Sequence, residues 1–135
     1  MAPERVVLDA SAAVELVVGG ARVDEVDRHL RRSVIAAPAH LDAEVLSALA
    51  RLHRAGVLDD DAVDEALDDL AAAPITRYPT APLLHPAWRL RGTVAVRDAL
   101  YVCVARALDA TLLTVDGRLA RACAAGQLCR VALAA

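Results

Sequence analysis

Short apolar runs alternate along this chain with longer stretches of helical period. The runs at 5–8 (RVVL), 34–37 (VIAA), 75–78 (ITRY), 111–115 (TLLTV) and 130–133 (RVAL) have the length of strands. Pro38 closes the second run and Pro79 the third. Residues 11–18 predict a short helix stopped by Gly19-Gly20, and 23–32 a second helix with a polar face. The segment 40–55 carries the clearest apolar stripe, Leu41, Val45, Ala48, Leu49 and Leu52, and Gly56 ends it. A further helix opens at Asp59-Asp60-Asp61 and ends before Pro74, while 80–91 is interrupted by prolines and is helical in part. Residues 97–108 are apolar almost all round, which predicts a buried helix. Asp116 opens the last helix, which runs to about Ala124.

Strands separated by helices imply βαβ units. The expected fold is an α/β/α three-layer sandwich around a four- to five-stranded, mainly parallel sheet. Residues 1–135 are expected to form one domain, without repeats or linkers. In such a sheet the C-terminal ends of the strands share one edge with the N-termini of the helices that follow. Ligands bind at that edge, where the strand order reverses.

Four carboxylates fall there. Asp9 follows the first strand and Asp116 the fourth; Asp98 sits in the first turn of the buried helix, and Glu44 in the first turns of the helix after the second strand. Asp9, Asp98 and Asp116 also suit helix N-caps or first turns, where the dipole favours acids. Glu44 is harder to explain that way. It lies three residues after Leu41 and four before Ala48, on or beside the apolar stripe, and a lone carboxylate facing a core is costly unless it is paired or binds a metal. Two carboxylates about 4 Å apart repel by about 4 kcal/mol at an effective dielectric near 20. Four in one pocket protonate or attract divalent cations. Oxygen ligands without His or Cys suit Mg²⁺ or Mn²⁺, ions that activate water and offset charge on a phosphate.

Composition narrows the chemistry. The chain has 135 residues, 57% of them hydrophobic, and a net charge of -3. That is enough apolar mass for a core and too little basic excess for a protein that coats nucleic acid. All 15 basic residues are Arg. Removing the four clustered acids from the 18 leaves 14 against 15 Arg, so the remaining surface does not repel a polyanion. Three cysteines without a CxxC pair argue for free thiols in a reducing, cytoplasmic setting. No signal-peptide core and no uncharged apolar stretch of about 18 residues is present, so no membrane association is expected.

The segments VVLDASAAVELV (6–17), PAHLDAEVLSALARL (38–52) and VRDALYVCVARALDATLLTVDGRLARA (96–122) resemble the three signature segments of PIN-domain nucleases, in order and spacing. The nearest type is the VapC toxin of bacterial VapBC toxin–antitoxin pairs; residues 57–95 carry little signature. The resemblance implies a PIN-like fold and an Mg²⁺- or Mn²⁺-dependent endoribonuclease that cuts tRNA or rRNA. It puts the family's acids on Asp9, Glu44, Asp98 and Asp116. Its small hydroxyl positions match Ser11 and Thr114, which would orient an acid or a water, or serve only as a helix cap and a strand hydroxyl. It also implies a homodimer and inhibition by a small cognate VapB-type antitoxin. Gly117 departs from the pattern, standing where a basic residue is common.

Other residues carry weaker signals. His40 and Glu44 have a zinc-binding spacing, but no second His pair supports it, so His40 reads as a near-cap residue beside the pocket. Asp42 is expected to face solvent, Glu15 to reach the pocket edge at most, and Asp59-Asp60-Asp61 to be a solvated helix start. Arg51, Arg54, Arg97, Arg118 and Arg121 are candidate phosphate contacts, and Tyr101 and Trp88 are expected to pack in the core rather than stack on a base. A dehalogenase-type phosphotransferase needs an acid where Ser11 stands and a Lys the chain lacks; a receiver domain fails for want of the same Lys. GK[ST] and GxGxxG are both absent, which excludes the common nucleotide folds. A catalytically silent PIN-like module binding RNA or protein is the alternative, and a repressor role fits a partner better because no basic helix-turn-helix is visible.

Overall fold

The computed structural model describes residues 3–135. Five strands form one parallel sheet: β1 (Glu4–Leu8), β2 (Ser33–Pro38), β3 (Ile75–Tyr78), β4 (Thr111–Thr114) and β5 (Val131–Leu133), in the order β3-β2-β1-β4-β5. Among the described residues seven helices flank it: α1 (Ala10–Val18), α2 (Val23–Leu30), α3 (Leu41–Arg54), α4 (Asp60–Ala72), α5 (Leu84–Arg89), α6 (Val96–Leu108) and α7 (Gly117–Ala125). A 3₁₀ turn at Ala81–Leu83 leads into α5.

Parallel neighbours require crossovers, and these are right-handed almost without exception. The β1–β2 and β2–β3 crossovers step one way along the sheet, so α1–α4 share a face, where α1 packs on α2, α3 and α4. The later crossovers step the other way and put α5, α6 and α7 opposite, with α5 against α6 and α7 against β5. Val6, Val7 and Leu8 of β1 are buried, and so are Leu112 and Leu113 of β4, because helices cover both faces of the central strands. The order reverses between β1 and β4, and Asp9 and Asp116 follow those two strands.

Local signals explain most of the boundaries. Gly19 ends α1 in the left-handed conformation, at φ 70°, where a side chain would be strained. Residues Tyr101 to Ala105 of α6 are all buried, as an all-round apolar helix requires. Pro38 does not close β2 but is its last residue, opposite Tyr78. The ladder continues past it through the Ala39 N–H to Tyr78 O at 2.7 Å, so the missing proline N–H leaves no gap there. Trp88 is not in the core: it is 58% exposed on α5, with the Arg91 guanidinium 4.4 Å above its ring. The three cysteines are free thiols, as expected. No helix among the described residues is long and apolar enough to cross a membrane.

Candidate active site

Asp9 leaves β1 as the N-cap of α1, only 5% exposed. Its Oδ1 accepts the Ala12 N–H at 2.9 Å and the Ser11 hydroxyl at 2.7 Å, and its Oδ2 accepts the Thr114 hydroxyl at 2.6 Å. Each hydroxyl has one proton, and both are given to Asp9. The hydroxyl oxygens are then left to accept backbone donors: Val115 N–H to Ser11 Oγ at 3.2 Å and Asp116 N–H to Thr114 Oγ1 at 3.0 Å. This network ties the ends of β1 and β4 together beneath the site. Burial pushes the Asp9 carboxyl up to about 6, against the Thr114, Ala12 and Ser11 hydrogen bonds, and the Asp98 charge adds to the rise.

Asp116 caps α7, its Oδ1 accepting the Arg118 N–H at 2.9 Å and the Leu119 N–H at 3.4 Å. Capping and a role in the site are therefore not alternatives for Asp9 and Asp116. Asp98, in the first turn of α6, makes no such bond among the described residues, and its carboxyl is raised by partial burial and by the charges of Glu44 and Asp116. Glu44 projects from the first turns of α3. Burial works to raise its carboxyl, but His40, the Tyr101 hydroxyl and the Arg97 charge outweigh that and hold it below the usual glutamate range.

Glu44, Asp98 and Asp116 line one open cleft of about 580 Å³ with Ser11 and His40, over the buried Asp9. Three arginines, Arg51, Arg97 and Arg118, line the same cleft. Arg97 reaches Glu44 Oε2 at 3.6 Å and Arg118 reaches Asp116 Oδ2 at 3.9 Å. Both guanidinium groups are largely exposed, so these contacts are weak and exchangeable. Arg54 lies elsewhere, in the groove between α3 and α4. Arg121 folds back over Gly117: its Nη1 stands 3.1 Å from where a Cβ at 117 would be, in space a larger residue there would contest.

Tyr101 is buried as expected, but its hydroxyl donates to Glu44 Oε1 at 2.7 Å. Burial and the Glu44 contact push that hydroxyl's pKa far up, so it remains a donor. His40 Nε2 lies 3.2 Å from the same Oε1 but off the line a hydrogen bond needs, and neither buried ring nitrogen has a hydrogen-bond partner in the described structure. One expectation is corrected, and one weak signal falls away. Asp42 does not simply face solvent: the Arg77 guanidinium from β3 grips both its oxygens, Nε to Oδ2 at 2.8 Å and Nη2 to Oδ1 at 2.9 Å. Glu15 turns from the cleft to Arg22, accepting its N–H at 3.2 Å. In both cases the partner comes from another element, which helical spacing does not show.

The donor set fits a hard divalent cation in kind: carboxylates gather at one edge, and two of them, Asp9 and Asp98, are raised first by burial and then by acidic neighbours. Among the described residues no three Asp, Glu, His or Cys side chains already stand close enough to share one ion.

The PIN domain family model matches residues 6–125. The chain is 50% identical over 121 residues to Ribonuclease VapC3 of Mycobacterium tuberculosis, covering 89% of this chain and 88% of that one. Its fold is similar to the crystal structure of PAE2754 from Pyrobaculum aerophilum, with a TM-score of 0.65 and 28% identity over 90% of this chain and 81% of that one. It is also similar to the crystal structure of Mycobacterium tuberculosis VapC20, a sarcin-ricin loop cleaving toxin, with a TM-score of 0.66 over 87% of this chain and 94% of that one. At 21% identity the second likeness speaks for the fold alone.

Proposed function

The chain belongs to the PIN-domain family as a VapC-type ribonuclease, and from that premise we propose that it is an Mg²⁺- or Mn²⁺-dependent endoribonuclease whose cleft acids hold the ion. The observation that carries the reading is the convergence of Glu44, Asp98 and Asp116 in one cleft over the buried Asp9, at the reversal of strand order. Asp9, Glu44, Asp98 and Asp116 are the ligands. When bound, a divalent cation supplies Lewis acidity, lowering the pKa of water and offsetting the charge that gathers on a phosphate.

The remaining side chains bind and orient. Ser11 and Thr114 hold the Asp9 carboxylate between them through the bonds at 2.7 and 2.6 Å. Arg51, Arg97 and Arg118 stand at the rim, where an RNA backbone entering the cleft meets guanidinium groups suited to forked phosphate contacts, Arg97 and Arg118 giving up weak carboxylate contacts to make them. The substrate is RNA, of the tRNA or rRNA class. The protein acts as the toxin of a toxin–antitoxin pair in the cytoplasm, restrained by a VapB-type antitoxin, and pairs with a second copy. Exposed Leu46, Val57, Leu84, Trp88 and Val96 supply apolar surface for such protein partners.

The test is cleavage of total tRNA and rRNA by protein purified free of any partner, in Mg²⁺, Mn²⁺ or EDTA. Cuts at a few sites that need metal and vanish in Asp98→Asn are expected. Cutting that survives EDTA contradicts the ion's role. A well-folded wild-type protein that cuts nothing favours a silent binding module.

A further inference from the structure

Glu44 is gripped by one oxygen. Oε1 accepts the Tyr101 hydroxyl at 2.7 Å and lies 3.2 Å from His40 Nε2, whereas Oε2 has the exposed Arg97 guanidinium at 3.6 Å. Tyr101 is buried in α6, and the His40 ring leans on it at 4.9 Å between centroids, tilted by 49°. Asp98 precedes Tyr101 by three residues on the same helix, so both lie on one face. The helix that supplies one cleft acid thus also supplies the donor that fixes another. A buried tyrosine hydroxyl needs some acceptor, and many would do. Here the acceptor is a half-buried carboxylate that shares the cleft with Asp98, and a hydrogen bond to an ionised acceptor is both shorter and stronger than one to a neutral group.

We infer that Tyr101 is a positioning residue: its hydroxyl, with the His40 ring packed against it, pins Oε1 of Glu44 and leaves Oε2 to face a divalent cation in the cleft. The inference rests on the ion-binding reading given above. A glutamate side chain has three rotatable bonds, and without the pin its carboxylate is free to turn about them, with only the exposed Arg97 contact left to hold it. Partners that orient a ligand carboxylate commonly change ion affinity about 10- to 100-fold when removed.

The test compares full-length wild type with Tyr101→Phe, which keeps the buried ring and removes only the hydroxyl. Mn²⁺ is titrated calorimetrically into metal-free protein, thermal unfolding is followed in EDTA, and kcat and KM for RNA are measured separately. The expected result is an Mn²⁺ affinity at least about tenfold weaker, a melting midpoint in EDTA lowered by no more than the loss of one hydrogen bond, and a fall in kcat with KM unchanged. Wild-type Mn²⁺ affinity in Tyr101→Phe overturns the positioning role and leaves the ion site standing. So does a loss of affinity that comes with a melting midpoint lowered by more than one hydrogen bond accounts for, since that marks a packing role. A wild-type protein that binds no Mn²⁺ overturns the ion-binding reading itself, and this inference with it.

Discussion

Asp42 and Glu44 stand two residues apart in the first turns of α3 and meet opposite surroundings. Asp42 points toward β3 and is gripped on both oxygens by Arg77, whose guanidinium also donates to Leu70 O at 3.0 Å and Ile75 O at 3.2 Å. That corner is a set of hydrogen bonds tying α3, α4 and β3 together. Glu44 points into the cleft, where its charge and that of Asp116 add to burial in raising the Asp98 carboxyl. A carboxylate opposite an arginine holds the fold together. In the cleft the cost falls on Asp98 and Asp9, raised by burial and by acidic neighbours, while Glu44 is kept ionised by its own donors; a cation there would relieve the first two.

The largest effect expected from breaking this contrast is in Asp98→Asn. It removes a carboxylate raised by burial and by its two acidic neighbours, so metal-dependent RNA cleavage should fall at least about 100-fold. Unfolding of the metal-free variant should occur at the same or a higher midpoint, because repulsion is relieved. Lost cleavage with a large loss of stability would mean that Asp98 belongs to the framework.

The next effect concerns Asp9. Its carboxyl is held at about 6 in the folded protein against 3.8 for the unperturbed group. Between those values the folded state binds more protons than the unfolded one, so the stability of metal-free protein falls as pH rises through that window and stays lower above it. For a group this buried the difference is of order 3 kcal/mol. Asp9→Asn should flatten the slope in urea unfolding measured from pH 4 to 7. A saturating divalent ion should flatten it too, by favouring the ionised form.

Asp42→Ala should behave in the opposite sense to Asp98→Asn. It strands Arg77 without its carboxylate and should cost about 1–2 kcal/mol in urea unfolding, the pair being only partly screened from solvent. Cleavage per folded molecule should stay within about twofold of wild type. The smallest effect is expected from Arg118→Ala, which should raise KM for RNA a few-fold with kcat retained and reduce the salt dependence of binding.

Much of this contrast was legible in the sequence because it depends on topology. Alternating strands and helices fix which edge Asp9, Asp98 and Asp116 occupy, and β3 spans the same residues the pattern predicts. Glu44 stood out because it interrupts an apolar stripe. What was not legible is partner identity across the chain. Nothing near Asp42 in sequence announces Arg77, 35 residues on, and nothing near Glu44 announces Tyr101, 57 residues on. Trp88 was misread for the same reason: spacing along a helix gives a face, and the packing of other elements decides whether that face meets the core or solvent. An absolutely buried tyrosine on an apolar helix gave one signal of its own, the hydroxyl that such a residue must satisfy.

The measurement closest to the central claim is a crystal structure of this chain grown with Mn²⁺, with the ion located by its anomalous scattering. An ion in the cleft coordinated by oxygens of Asp98 and Asp116, with Asp9 or Glu44 completing the set, is the predicted result. Anomalous density lying only outside the cleft, in crystals of protein that cleaves RNA in the same buffer, would contradict it.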